Sequence, residues 1–201
     1  MDYWKNILDE NILKTSINFA AVFVMNYECL KEFVVEQVRT FYSERFYVEG
    51  DKIRWEESEE YKEKVKKLDE NQNLENASLK WFMNAGAITQ EDYETFHKIR
   101  KKRNDITHEL LKNLVTGFNE EDAQLFGHML RLYNKLDKWW INEIEIPTSA
   151  DDIPTDYDRE GVCGGQALML SIINEIALGN AGDKYKELLE ELMKGGMFDL
   201  A

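Results

Sequence analysis

Residues 12–38 read ILKTSINFAAVFVMNYECLKEFVVEQV. Within them Ile12, Phe19, Val22, Phe23, Leu30, Phe33, Val34 and Val38 recur at steps of three and four. That is the period of an α-helix. The apolar stripe is wide, as a helix with neighbours on several sides requires. The pattern predicts one long central helix over about residues 8–46, and with it an all-α fold. The most apolar run, FAAVFVM at 19–25, is far shorter than the roughly 20 residues a membrane span needs. It reads as core.

The bulk composition agrees. The chain has 201 residues, 43% of them apolar and 24 of them aromatic, enough for a sizeable core. Two prolines and eleven glycines disfavour a turn-rich β sandwich. Cys29 and Cys163 have no metal-ligand or redox spacing, which suits a reduced, cytoplasmic protein. The N-terminus MDYWKNILDEN lacks the basic and cleavage signals of a secretory leader. A net charge of −14 argues against non-specific nucleic-acid binding by the whole surface. The excess is uneven, because residues 149–201 carry −7 of it.

Working outward from the central helix, YVEGDKIRW holds a Gly-Asp pair between short alternating runs. It reads either as a small hairpin or as an irregular connector. SEEYKEKVKKLDE is a short charged helix with Ser58 as its cap, and NQNLEN breaks it. ASLKWFMNAG is an apolar helix stopped near Gly86. Thr89 caps the next helix, with Glu91 or Asp92 close behind. That helix is expected to run to about Leu114 and stop at TGFN. Asn119 opens a further long amphipathic helix.

EIPTSADDIPTD contains both prolines and is the linker candidate. Two short helices follow, GQALMLSIINEIAL and DKYKELLEELMK. The expected architecture is an up-and-down bundle of four or five helices over residues 1–146, an acidic linker over 147–160, and a C-terminal helical appendage over 161–201.

The most basic stretch is KIRKKRNDITH at 98–108, with five cations in the six positions from Lys98 to Arg103. Phe96, Ile99, Ile106 and Leu110 form an apolar seam on its helix. Arg103 sits in that seam where an apolar residue belongs. A charge there must be paired or face a partner surface. Asn104 and His108 are four apart and share a face, beside the seam.

This set suits phosphoryl chemistry. Arg offers a planar fork for phosphate oxygens, His moves a proton near neutral pH, and Asn orients. RNA cleavage by its own 2′-hydroxyl needs a base, an acid and charge stabilisation at the phosphate, and no metal. Two chains meeting at the seam would supply two imidazoles. Neither a metal nor another cofactor is expected.

RNDITH, preceded by GAITQEDYETFHKIRKK, resembles the Arg-x4–6-His motif of the HEPN superfamily of all-helical domains. The resemblance spans residues 85–146 in pattern and 8–146 in architecture. It implies metal-independent endoribonuclease activity in a composite site at a homodimer interface, in toxin, abortive-infection or antiviral systems, with RNA as substrate and an antitoxin or regulatory protein as a further partner. It carries over Arg103, Asn104 and His108 as catalytic residues. Degenerate members are non-catalytic dimerisation modules, which is the second expectation. Members paired with a nucleotidyltransferase often have Tyr two residues after the His, where this chain has Leu110. Beside the motif, Lys98, Arg100, Lys101 and Lys102 are candidates to hold the RNA backbone. His97 shares a face with Lys101, Asn104 and His108 and is a candidate substrate contact.

Other motifs point elsewhere. DYDREG at 156–161 opens like a calcium loop, but its twelfth position is Ala167 where a Glu is needed. It reads as acidic linker. GVCGGQ surrounds Cys163 without a nearby His and reads as a flexible helix start. KWW at 138–140 reads as core or dimer packing. The acidic appendage could cover the basic site in cis.

Overall fold

The computed structural model describes residues 3–179 except 44, 51, 150–152 and 155, with the backbone alone for 52–55. The described residues are helical apart from one hairpin and the connections, so the fold is all-α. DKYKELLEELMK, expected as the last helix, lies outside the described residues.

Helix α1 (Tyr3–Leu8) is short, and α2 (Glu10–Phe41) is the long central helix. The continuous helix expected over 8–46 is thus cut at both ends. At its start the Asp9 carboxylate accepts hydrogen bonds from the backbone N–H groups of Asn11 and Ile12 at 3.0 and 3.1 Å, which caps α2. After Phe41 the chain forms an antiparallel hairpin, β1 (Phe46–Glu49) and β2 (Lys52–Trp55). Glu49 lies opposite Lys52, so the loop has two residues. Its first, Gly50, has φ +63°, the left-handed conformation such loops demand. Of the two readings of this stretch, the hairpin is the one formed.

Three local signals then work as the sequence implies. Ser58 caps α3 (Glu59–Lys64), accepting from the Tyr61 N–H. Thr89 opens α5 (Gln90–His108) with a full capping box to Asp92. Asn119 does the same for α7 (Glu120–Trp140) with Asp122. Between them, α4 (Leu74–Asn84) is capped by Asn73 and α6 (Leu110–Thr116) ends at Gly117, φ +78°. A π-helical turn over Ile141–Glu145 and the single turn α8 (Ile146–Thr148) follow α7, and α9 (Gly165–Ala177) is the last described helix.

Around α2 pack α4, α5, α7 and α9. The α2 stripe is buried from Val22 to Val38, with Phe23, Leu30, Val34 and Val38 fully enclosed, while Ile12 and Phe19 are half-buried. Each such large side chain contributes about 1.5–3 kcal/mol by leaving water. Trp81 and Phe82 of α4 meet Trp139 and Trp140 of α7. KWW is therefore core packing.

The described part of the appendage is docked on the bundle. Ala167 and Leu170 of α9 belong to the same hydrophobic cluster as α2 and α7. Buried Asn26 and Asn174 exchange two hydrogen bonds, at 2.7 and 3.0 Å, between α2 and α9. The Asp137 carboxylate accepts from the Gly164 N–H at 2.8 Å. Asn142 donates to the Arg159 carbonyl and accepts from the Tyr157 hydroxyl. Buried polar groups paired in this way specify one seating, because a slipped helix would leave them unsatisfied.

Candidate functional site

Helix α5 sorts the basic stretch by direction. At about 100° per residue, five consecutive cations on a helix must point different ways. Phe96, Ile99 and Ile106 face the core and are buried. Arg100 leans toward α4, where it donates to Asn76 at 3.3 Å and lies 3.8 Å from Glu75. Lys102 leans toward α7, 2.6 Å from Asp122, with its ammonium 5.5 Å from the Phe118 ring. Lys98 and Lys101 are exposed and make no ion pair among the described residues. Of the cations expected to grip RNA, these two stay outward while Arg100 and Lys102 tie the bundle together.

Arg103 faces α2, as its seam position requires. Its guanidinium pairs with Glu28 and sits 5.5 Å from the centre of the Tyr27 ring. It also donates to the Asn104 side-chain oxygen at 3.1 Å. Its Nε is buried without a hydrogen-bond partner. Tyr27 is held in turn by donating to Glu75 at 2.6 Å. Burial, and then that hydrogen bond, push the Tyr27 hydroxyl far above its ordinary range. The charge in the seam is therefore paired within the protomer. Neither Tyr27 nor Glu28 was among the residues the sequence pointed to. Glu28 lies 75 residues from Arg103, so no local spacing links them.

Asn104 and His108 are exposed on the outer face of α5, with Lys101 and half-buried His97 further back on that face. Burial, and then the Arg100 charge, hold the His97 imidazole below its ordinary value. Its ring meets Tyr93 edge to face at 4.5 Å.

At His108 the structure departs from the expected helix. The helix foreseen up to Leu114 breaks at Glu109, φ −122° and ψ 33°. The Asn113 side chain bridges the break by donating to the Asp105 and Glu109 carbonyls at 3.1 and 2.9 Å. Leu110, read as the end of the seam, is 44% exposed as a result. Helix α6 then packs on α1, with Asn6 donating to the Val115 carbonyl. Trp4 and Leu8 of α1 and Leu111 of α6 are each more than 70% exposed. Exposed Leu110 and Leu111 thus follow His108 closely along the chain.

The other candidates are quiet. Among the described residues no group of His, Cys, Asp or Glu could hold a metal ion. Cys163 is exposed, and Gly164 after it, at the start of α9, has a structural reason, since a side chain there would collide with the Asp137 carboxylate. Among the described residues no helix is long and apolar enough to cross a membrane. No family model matches the chain, and no curated protein or solved structure matches it either.

Proposed function

We propose that the protein is a metal-independent endoribonuclease that acts as a homodimer in the cytoplasm, in a prokaryotic toxin or antiviral defence system. One observation carries the reading. Arg103 donates to the Asn104 side chain, and His108 stands one turn beyond Asn104 on the same helix, with both Asn104 and His108 open to solvent. The exposed apolar side chains of α6, which follows His108 in the chain, and of α1, which packs on α6, support a second copy as the partner.

In the proposed reaction the 2′-hydroxyl of RNA attacks the adjacent phosphorus. One His108 takes the hydroxyl proton. The bond from phosphorus to the 5′-oxygen breaks, and the protonated His108 of the second copy gives that oxygen its proton. The products are a 2′,3′-cyclic phosphate and a 5′-hydroxyl end. Arg103 neutralises the charge that grows on the non-bridging oxygens, and Asn104 orients the imidazole or the phosphate. Lys98 and Lys101 hold the backbone by charge.

His108→Ala and Arg103→Ala should each abolish cleavage while circular dichroism stays unchanged, and wild-type activity should persist in EDTA. A purified His108→Ala protein that cuts RNA at the wild-type rate overturns the assignment.

The Arg103–Glu28 pair favours a second reading, a non-catalytic dimerisation or interaction module. There Arg103 serves the seam alone. That reading expects no cleavage of any RNA and a stable complex with an antitoxin or regulatory protein.

A further inference from the structure

Tyr93 and His97 stand one turn apart on α5, and each ring is half-buried. They meet edge to face at 4.5 Å and 78°. The pair has a rigid backing. Tyr93 packs on the hydrophobic core, and His97 lies edge-on to fully buried Phe96, 6.2 Å between centroids. Burial and the Arg100 charge both disfavour the charged form of His97, which favours its use as an aromatic surface.

The surroundings of this pair are graded in charge. Lys98 and Lys101 are exposed and unpaired among the described residues, in a chain whose net charge is −14. On the other side lies the acidic first turn of α5, with exposed Glu91 and half-buried Asp92, while exposed Glu94 stands between the two rings in sequence. Asp92 in that turn is engaged by Thr89 and by Lys135 at 2.5 Å. From His97 to His108 the helix rises about 16 Å, at about 1.5 Å per residue. An extended strand of a few nucleotides covers that length. Its phosphates find cations between the rings and the patch at Arg103, and find repulsion beyond Tyr93.

We propose that the Tyr93–His97 ring pair is a base-stacking platform that takes a nucleobase of single-stranded RNA whose phosphates run over Lys98 and Lys101 toward His108. This rests on the ribonuclease reading for its substrate and extends it to a class, unpaired RNA. Bases locked in a duplex present no free face to the rings. Stacking on an aromatic side chain contributes about 1–3 kcal/mol per base and tolerates any base.

The test uses the full chain and a fluorescent 2′-O-methyl RNA of about ten nucleotides, which binds and resists cleavage. Tyr93→Ala and His97→Ala should each weaken binding roughly ten-fold, while Tyr93→Phe and His97→Phe should bind like wild type. An abasic strand of the same length should bind wild type as weakly as the intact strand binds the alanine variants, and the variants should lose nothing further on it. The comparison of intact and abasic strands on wild type needs no variant to fold. Equal binding of intact and abasic strands by wild type overturns the platform, as does equal binding of the intact strand by wild type and both alanine variants. A wild-type protein that cuts no RNA but discriminates intact from abasic strands through these rings loses the nuclease reading and keeps the platform. A protein that cuts RNA without such discrimination keeps the nuclease reading and loses the platform.

Discussion

At the scale of single residues, Arg103 shows how one position can serve two ends. Its side chain is 25% exposed and its partner Glu28 is 39% exposed. A phosphate arriving at the guanidinium must displace that carboxylate or share the cation with it. Glu28 is also 3.5 Å from Lys31, so it keeps a second cation when Arg103 is released. Under the proposed function, Glu28→Gln should raise RNA affinity several-fold at low salt, and the gain should fade as ionic strength rises and screening takes over. Titration of wild type and variant with the uncleavable strand at two salt concentrations measures this. Unchanged affinity at low salt would put Arg103 outside the RNA contact. The anomaly itself was legible in the sequence, because a cation in an apolar seam stands out from the period of three and four. Its partner was not, because Tyr27 and Glu28 read as ordinary residues of another helix.

At the scale of elements, the legible features are those settled within four residues. Ser58, Thr89 and Asn119 all cap the helices they precede, since a cap depends on one side chain and the next few N–H groups. Thr89 carries the start of the helix that holds the candidate site, and its partner Asp92 is tied to α7 through Lys135. Thr89→Ala should therefore lower stability by about 1 kcal/mol. In urea the midpoint should fall while the slope stays constant; an unmoved midpoint would mean that the Lys135–Asp92 pair holds the helix start unaided. The break at Glu109 was illegible by the same logic. Residues 105–114 keep helical spacing and hold no Gly or Pro, and what sustains the break is the pair of carbonyls taken up by Asn113 together with the packing of α6 on α1. The consequence is functional: His108 ends its helix instead of lying in the middle of a longer one.

At the scale of the whole molecule, the described part of the appendage completes the bundle. Asp137 illustrates the coupling. Burial pushes its carboxyl above the ordinary aspartate range, against the opposing hydrogen bond from the Gly164 N–H. The folded state then holds this proton more tightly than the unfolded state. The stability linked to the group is present below the unfolded value and is lost as pH rises through the raised folded value. Asp137→Asn keeps an acceptor for Gly164 and removes the ionisation. The variant should thus gain on wild type as pH rises from about 4 toward neutral, measured by denaturation across that range; parallel pH profiles would count against the shift. Docking also bears on the idea that the acidic end covers the basic site. Helix α9 lies on α2 and α7, whereas the cations are on α5. Removing residues 147–201 would strip Ala167 and Leu170 from the core, so raised cleavage after that deletion would not isolate a covering role.

Taken alone, the sequence determined the all-α class, the central helix, the capped helix starts and the odd placement of Arg103, because each follows from periodicity or from neighbours within a turn. Tertiary structure decided which cations remain outward, the pairing of Arg103 with Glu28, the break after His108 and the seating of α9. Those depend on groups dozens of residues apart, brought together only when apolar faces are buried and each buried polar atom must find a partner.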